Sequence, residues 1–358
     1  MPQTPLHATH EKLGASFTDF GGWEMPLKYG SELEEHRAVR SAVGIFDLSH
    51  MGEISVQGPD AAAFLDYALI SNFSVLKEGK AKYSMIVAED GGIIDDLITY
   101  KFSENHFMVV PNAANTAAVW AAFESRKGDF EVQLTNNSEA FALVAVQGPG
   151  SLAALQPLLS DDASTLSYYS GSWMTLDGIE IFVARTGYTG EDGFELFCAR
   201  EDAQKVWDAV IGCGTPCGLA SRDSLRLEAS MPLYGNELST EITPVEAGMG
   251  RAFAKKEADF VGKEALAGRE PEVVIAGLTS EQRRAARAGA EIYLPGESGA
   301  KIGVVTSGQP SPTLGYPVAL AHVAPEHAEV GTDVEIDIRG RRYPFTIVTT
   351  PFYSRKDA

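Results

Sequence analysis

The sequence of 358 residues contains only three cysteines, Cys198, Cys213 and Cys217. Three cysteines cannot pair completely, and the two that lie close together have no second cysteine pair or histidine pair to complete a zinc site. The seven histidines show neither an HExxH motif nor another spacing typical of metal ligands. These features favour a reduced, cytoplasmic protein without a metal centre.

Long apolar runs and clusters of basic residues are also missing. No stretch approaches the roughly eighteen consecutive apolar residues of a membrane-spanning helix, and residues 1–7 lack the pattern of a secretion signal. Acidic residues outnumber Lys and Arg by 49 to 29, and the formal net charge of −20 disfavours nucleic acid and membranes as partners. The densest basic segment, residues 283–287, is typical of a solvated face or of a surface that receives an acidic protein.

Three motifs that identify large enzyme classes are absent. The sequence has no Gly-x-Ser-x-Gly nucleophile elbow, no Walker loop and no Gly-x-Gly-x-x-Gly motif after a strand. Hydrolase, NTPase and dinucleotide-binding functions therefore lack their usual sequence support.

The apolar periodicity predicts an α+β protein with two or three domains, since a chain of this length exceeds one hydrophobic core. Helices are predicted over residues 31–43, 60–69, 114–125, 201–212 and 220–229. Strands are predicted over residues 52–57, 83–88, 93–102, 107–110, 173–176 and 179–184. The remaining strands predict a separate all-β barrel or sandwich: 273–278, 301–306, 316–323, 334–338 and 343–349.

Residues 185–196, with the sequence RTGYTGEDGFEL, place Glu195 in an otherwise apolar strand. Burying a carboxylate costs several kcal/mol unless donors meet it. The glycines of the segment let the backbone approach its neighbours closely. A flat polar ligand with two adjacent N–H donors would suit such a carboxylate. The alternative is a hairpin turn with an internal Arg–Glu pair.

A second candidate is the strand that carries Asp95 and Asp96. Because side chains alternate along a strand, one of these carboxylates must face an apolar surface, which indicates a functional site. The alternative is an edge strand with one aspartate in solvent and the other at a turn.

Two polar positions elsewhere have both a structural and a functional interpretation. Asn112 follows a strand and precedes a helix, where it either caps a turn or bridges a ligand. Arg222 and Arg226 lie four residues apart, a spacing typical of a salt-bridged surface with Asp223 and Glu228.

Motifs spread over almost the whole chain together resemble the T-protein family of the glycine cleavage system, the aminomethyltransferases. The segments that carry the resemblance are residues 4–7, 21–26, 35–40, 46–52, 91–97, 112–115, 185–196, 218–228, 233–238, 306–308 and 351–353. Any one of them alone would be weak, but their order along one chain makes the match specific.

The resemblance implies a three-domain cloverleaf around a central folate cavity, with two mixed α/β domains on antiparallel sheets and a C-terminal β-barrel. The implied domains are residues 1–50 plus 139–245, residues 51–138, a linker at 246–270, and the barrel at 271–358. The implied reaction transfers a one-carbon unit from the aminomethyl-lipoyl arm of the H protein to the co-substrate tetrahydrofolate. Its products are ammonia, 5,10-methylenetetrahydrofolate and the reduced lipoyl arm.

The resemblance also implies roles for individual residues. Asp96 corresponds to the catalytic aspartate beside the folate nitrogens, and Glu195 to the carboxylate that pairs with the pterin ring. The positions implied to line the folate pocket or the lipoyl entrance are Met51, Tyr83, Tyr100, Val110, Asn112, Tyr188, Arg222 and Tyr234. Arg251 departs from the pattern, because many relatives have an aromatic residue there that helps to wall the folate site.

Two other functions share the same pocket. One is a folate-binding factor for iron–sulfur cluster assembly, which would carry a Lys-Gly-Cys-x-x-Gly-Gln type motif. Here the aligned segment, residues 185–191, contains no cysteine, which favours the enzyme. The other is a folate-dependent demethylase of a small methylated substrate.

Overall fold

The computed structural model describes residues 1–296 and 299–356. Its α-helices are α1 (His7–Lys12), α2 (Glu32–Ser41), α3 (Ala61–Ala68), α4 (Thr116–Arg126), α5 (Ser151–Leu155), α6 (Ala203–Ile211), α7 (Leu219–Glu228) and α8 (Lys263–Leu266). The first thirteen strands are β1 (Ser16–Phe20), β2 (Trp23–Lys28), β3 (Gly44–Asp47), β4 (Ile54–Gln57), β5 (Ala81–Val87), β6 (Ile93–Ser103), β7 (His106–Pro111), β8 (Gln133–Asn136), β9 (Phe141–Gln147), β10 (Gly171–Leu176), β11 (Ile179–Ala184), β12 (Gly193–Ala199) and β13 (Thr215–Pro216). The remaining strands are β14 (Val274–Thr279), β15 (Glu291–Tyr293), β16 (Lys301–Pro310), β17 (Pro317–Val323), β18 (Asp333–Asp337) and β19 (Arg342–Val348).

The chain forms two compact units. Unit 1 comprises residues 1–86, 94–222 and 256–260, and unit 2 comprises residues 87–93, 223–255 and the described residues from 261 onward. The domain boundaries and the central cavity that the sequence implies stay predictions.

Unit 1 contains a six-stranded sheet with the order β10-β11-β12-β9-β3-β13. Its pairs are antiparallel except β13, which runs parallel to β3. Apolar side chains of β9 and β12, such as Val144 and Leu196, pack with Trp207 of α6 in a core that excludes water. This packing fixes β12, and therefore Glu195, in the middle of a rigid sheet.

The second large sheet of unit 1 has five strands in the order β5-β6-β7-β4-β8. Phe64, Phe107 and Phe123 are fully buried in its core. Strand β6, which carries Asp95 and Asp96, lies between β5 and β7, so the alternative of an edge strand is wrong.

Unit 2 contains a closed barrel in which β14, β17, β16, β15, β18 and β19 pair in that order. All of its pairs are antiparallel. The predicted α+β fold with antiparallel sheets and a C-terminal β-barrel is therefore confirmed. The sequence patterns missed the short strand β15, the helix α1 and the hairpin β1–β2.

Local sequence signals located several element ends correctly. Helix α2 begins after Ser31, whose hydroxyl oxygen accepts a hydrogen bond from the Glu34 N–H at 3.4 Å. Strands β10 and β11 flank Asp177 and Gly178, whose φ angles of 49° and 82° are those that a two-residue hairpin turn requires.

Lys256 stabilises the carboxyl end of α3. Its Nζ is buried and donates to the backbone carbonyl oxygens of Asp66, Leu69 at 2.8 Å and Ser71 at 2.9 Å. Carbonyl groups at a helix end lack intrahelical partners and carry partial negative charge, so an ammonium group suits them.

We expect Lys256→Met to lower the free energy of unfolding by about 2 kcal/mol, because the buried carbonyl oxygens lose their charged donor. Urea denaturation checks this value. The neighbouring Lys255 is exposed, and Lys255→Met should change the free energy by less than about 0.5 kcal/mol. Equal effects of the two substitutions would show that the three hydrogen bonds do not stabilise the fold.

Candidate active site

Asp96 is held by two hydrogen bonds while part of its surface stays accessible. The Tyr83 hydroxyl donates to Oδ2 at 3.0 Å, and the Asn112 Nδ2 donates to Oδ1 at 2.9 Å. Asp96 lies on the partly exposed side of β6, whereas Asp95 is fully buried on the other side. One of the two carboxylates is therefore buried in the interior, as the alternation of side chains along the strand requires.

Asp95 fixes the residue that holds Asp96. It accepts hydrogen bonds from the Asn112 backbone N–H at 2.9 Å, the Asn112 Nδ2 at 2.9 Å and the Asn115 Nδ2 at 2.6 Å. The side chain of Asn112 makes no helix cap, so the interpretation of Asn112 as a simple cap is wrong. One amide nitrogen instead bridges both carboxylates.

Burial makes ionisation of this carboxylate pair costly. It raises the pKa of Asp95 to about 7, with a further contribution from the charge of Asp96, against hydrogen bonds from Asn115 and Asn112. Burial also raises the pKa of Asp96 to about 6, although hydrogen bonds from Tyr83 and Asn112 oppose the rise. Both carboxyl groups are therefore protonated more readily than a carboxyl group in water.

The raised pKa of Asp95 predicts a pH-dependent stability. The folded chain keeps a proton that the unfolded chain releases, so the stability falls as the pH rises from about 4 to about 7. We expect Asp95→Asn to weaken this decline, measured as the free energy of unfolding at several pH values. The exposed Asp129 provides the control Asp129→Asn, which should keep the wild-type slope. An unchanged slope in Asp95→Asn would contradict the prediction.

Glu195 has one satisfied and one unsatisfied oxygen. Its Oε2 accepts from the Thr186 hydroxyl at 2.5 Å and lies 3.4 Å from the Tyr100 hydroxyl. The Tyr100 hydroxyl also lies 2.9 Å from Thr186 Oγ1. Within residues 1–296 and 299–356, Oε1 has no hydrogen-bond partner. The side chain is partly exposed, so Oε1 is available to a ligand with N–H donors.

The loop between β11 and β12 is fixed by the amide of Gln147. Gln147 is fully buried; its Nε2 donates to the Thr186 carbonyl at 3.1 Å, and its Oε1 accepts from the Thr189 hydroxyl at 2.9 Å. A Cβ added at Gly187 or Gly193 would lie 2.1 or 2.4 Å from this amide. These glycines are therefore needed for close packing.

The same loop contains an ion pair, but not the Arg–Glu pair considered above. Arg185 donates to both carboxylate oxygens of Asp192, at 3.0 and 2.6 Å. Glu195 is thus left out of this pair.

Arg222 lies against the ring of Tyr188, with its guanidinium carbon 5.0 Å from the ring centroid. In the part of the chain that the structure describes, its Nη1 is shielded from solvent and has no hydrogen-bond partner. Burial lowers the pKa of Arg222, while the negative charge of Glu195 raises it. The predicted salt-bridged surface is therefore wrong for Arg222.

For Arg226 the ion pair with Asp223 is present at 2.8 Å, but the surface location is wrong, because Arg226 is buried and also pairs with Glu237 at 2.9 Å in unit 2. Glu228, the other acidic residue of that interpretation, is fully buried and accepts hydrogen bonds from Ser311 and Thr313.

The groups around Asp96 and Glu195 lie within electrostatic range of each other. The pKa of Tyr83 is raised by burial, by Asp96 and by Tyr188. The pKa of Tyr169 is raised by burial and by several charges that include both Glu195 and Asp96. Unit 1 therefore brings most of the predicted residues into one region.

The other residues that the resemblance assigns to the folate site differ in their exposure and in the unit that contains them. Met51 is partly exposed just before β4, and Val110 is buried in β7 opposite Ile98. Tyr234 belongs to unit 2, where its hydroxyl donates to the Ile93 carbonyl at 2.9 Å. Arg251, also in unit 2, is exposed in a short 3-10 helix.

Sequence reasoning missed four polar residues of this region. Tyr169 has a φ of 59°, a strained value for a non-glycine residue. Such strain is common at functional sites, but it cannot be predicted from the sequence. Thr186 lies in the segment 185–196 and His50 in the segment 46–52, and both segments carry the family resemblance. Gln147 belongs to none of the motifs described above.

Metal clusters and membrane-spanning helices are both absent from the described ranges. No group of three or more His, Cys, Asp or Glu side chains is arranged to hold a metal ion in residues 1–296 and 299–356. None of the helices in those ranges has the length and apolar character needed to cross a lipid bilayer.

Comparison with known proteins identifies the family. Residues 6–257 match the GCVT N-terminal domain, and residues 274–354 match the glycine cleavage T-protein C-terminal barrel domain. An aminomethyltransferase from Corynebacterium aurimucosum is 60% identical over 98% of this chain and 98% of its own. One from Streptomyces coelicolor is 52% identical over 99% of this chain and 98% of its own.

A solved structure is similar over almost the same length. The crystal structure of glycine cleavage system aminomethyltransferase T from Bartonella henselae has a TM-score of 0.93 and 37% identity, covering 99% of this chain and 98% of that one. The resemblance drawn from the sequence motifs is therefore confirmed. The chain belongs to the glycine cleavage T-protein family of aminomethyltransferases.

Proposed function

We propose that this enzyme acts in the cytoplasm on the aminomethyl-lipoyl arm of the H protein. It transfers the one-carbon unit to tetrahydrofolate and yields ammonia, 5,10-methylenetetrahydrofolate and the reduced lipoyl arm. The observation that carries the proposal concerns two residues of unit 1 that lie within electrostatic range of each other. Within residues 1–296 and 299–356, Oε1 of Glu195 and Nη1 of Arg222 have no hydrogen-bond partner.

These groups fit a pterin. Its ring presents an amino group beside a ring N–H, and the accessible Oε1 of Glu195 is available to accept from these donors. Glu195 is oriented for this by Thr186 and Tyr100, which occupy its other oxygen. The Tyr188 ring adds a flat surface that is held by Arg222. When bound, tetrahydrofolate supplies the nucleophilic nitrogens of the reaction.

Asp96 is the residue that we assign to the chemistry. Cleavage of the carbon–sulfur bond creates positive charge on the one-carbon unit, and a carboxylate fixed in advance stabilises that charge without reorganisation. Tyr83 and Asn112 hold Asp96 in place from within the protein, so the accessible part of the carboxylate faces the reacting groups. Fixed orientation also lowers the entropic cost of bringing them together.

A coupled assay for methylenetetrahydrofolate tests the proposal. We expect product with aminomethylated, lipoylated H protein, and none with H protein that lacks the lipoyl group. Turnover of a methylated amine in place of the H protein would identify a demethylase instead. Folate binding without turnover of any substrate would indicate a binding factor, such as one for iron–sulfur cluster assembly.

A further inference from the structure

Asp95 is fully buried, yet its hydrogen bonds all lead to the segment that holds Asp96. Its Oδ2 accepts from the Asn112 backbone N–H at 2.9 Å. Its Oδ1 accepts from the side-chain nitrogens of Asn112 at 2.9 Å and Asn115 at 2.6 Å. Among the described residues, every donor to this carboxylate therefore lies in residues 112–115, directly after β7. A carboxylate without access to solvent cannot touch a ligand, so its contacts reach the reacting groups only through these donors.

The side-chain amide of Asn112 has one orientation that suits both aspartates. Its Nδ2 lies 2.9 Å from Asp95 Oδ1, 2.9 Å from Asp96 Oδ1 and 2.9 Å from the Asp96 carbonyl oxygen. If the amide turned over, Asn112 Oδ1 would face these three oxygens instead. Ionised carboxylates and carbonyl groups only accept hydrogen bonds, so the turned amide is disfavoured. The two carboxylates thus fix the amide with its nitrogen toward Asp96.

Asn115 contacts Asp95 but not Asp96. Within residues 1–296 and 299–356, its Nδ2 makes a single hydrogen bond, the one to Asp95 Oδ1. Asn115 is partly exposed and ends the short 3-10 helix that follows Asn112. The segment 112–115 carries the family resemblance, which gives no role to this second asparagine. A substitution of Asn115 therefore disturbs Asp95 while both aspartates and Asn112 stay unchanged.

We propose that Asp95 is a positioning residue for the reaction and that it acts by orienting the Asn112 amide toward Asp96. This inference rests on the proposed function. A carboxylate stabilises a developing positive charge best when it is held in place before that charge appears. Tyr83 holds one oxygen of Asp96, and Asn112 holds the other. Without Asp95 the amide is free to turn over, and Asp96 then loses the second of these donors. The loss should fall on kcat rather than on the binding of folate.

A double-mutant cycle of Asp95→Asn and Asn112→Ala tests the assignment in the coupled assay with aminomethylated H protein. The amide introduced by Asp95→Asn has one oxygen, so it cannot accept from both the backbone N–H and the side chain of Asn112. We expect Asp95→Asn to lower kcat by about 10-fold and to change the Kd for tetrahydrofolate by less than about 2-fold. In the Asn112→Ala background the same substitution should change kcat by less than about 2-fold, because the amide through which Asp95 acts is gone.

Two further variants separate positioning from a loss of stability. Phe64→Leu disturbs the apolar core of the same five-stranded sheet. It should lower Tm but leave kcat unchanged. Asn115→Ala removes one donor to Asp95 and should lower kcat by about 3-fold in the wild-type background, with no such fall in the Asn112→Ala background. This variant also serves if Asp95→Asn does not fold.

Several results would overturn the assignment. Wild-type kcat in Asp95→Asn, or in Asn115→Ala where Asp95→Asn does not fold, would show that Asp95 does not act on the reaction. Equal losses with and without the Asn112 amide would show that Asp95 does not act through it. A matching fall of kcat in Phe64→Leu, or a parallel loss of folate affinity in Asp95→Asn, would also contradict it. A wild-type enzyme without turnover would refute the proposed function itself, and this inference with it.

Discussion

Asp96→Asn is expected to reduce kcat by about 100-fold or more while tetrahydrofolate still binds. Asparagine has nearly the same shape and keeps an oxygen that accepts from Tyr83 or Asn112, so the fold should persist. What it loses is the negative charge that stabilises the developing cation. The loss should therefore appear in kcat rather than in the affinity for folate.

The measurement combines the coupled assay, using aminomethylated H protein, with calorimetric titration of tetrahydrofolate. Asp129→Asn makes the same chemical change at an exposed position and should behave as wild type. Near-normal turnover of Asp96→Asn would remove Asp96 from the mechanism. A parallel loss of folate affinity would make it a binding residue instead.

Glu195→Ala is expected to weaken tetrahydrofolate binding by about 10- to 100-fold, since hydrogen bonds to a charged group contribute about 1.5–3 kcal/mol. The substitution removes the acceptor for the ring donors. It also leaves the Thr186 hydroxyl without its acceptor and Arg222 without the carboxylate beside it. Part of the measured loss will therefore come from these neighbours.

Glu195→Gln separates the two contributions. Glutamine preserves the size of the side chain and one oxygen, but it replaces an acceptor with a donor, so we expect an intermediate loss of affinity. Glu180→Gln, at an exposed position on the neighbouring strand β11, is the control for the chemical change. Calorimetry that finds wild-type affinity in Glu195→Ala would show that the pterin does not use this carboxylate.

The carboxylates of Asp96 and Glu195 could be identified from the sequence because each interrupts an apolar strand pattern. Strand alternation sends neighbouring side chains to opposite faces, so the apolar residues around Asp95 and Asp96 already required one buried acid. The glycines around Tyr188 likewise indicated a close approach, which the structure explains by the amide of Gln147. The roles proposed for these residues come from the family motifs, because periodicity carries no information about chemistry.

Other features could not be predicted from the sequence because they depend on contacts between distant parts of the chain. Lys256 contacts carbonyl groups 185 or more positions away in the sequence. Arg222 and Arg226 have the same spacing as a common surface pair, yet both use interior contacts. Helical spacing shows which residues share a face but not whether that face meets solvent.

The sequence by itself determined the α+β class, the C-terminal β-barrel, the family and the acids at positions 96 and 195, because local periodicity and ordered motifs encode them. Only the tertiary structure decided which polar atoms remain without a partner. Within the described residues 1–296 and 299–356, Oε1 of Glu195, Nη1 of Arg222 and Nδ1 of His50 are unpaired, which depends on what each side chain meets after folding. Hydrogen-bond satisfaction is a property of three-dimensional contacts, and a linear pattern does not contain it.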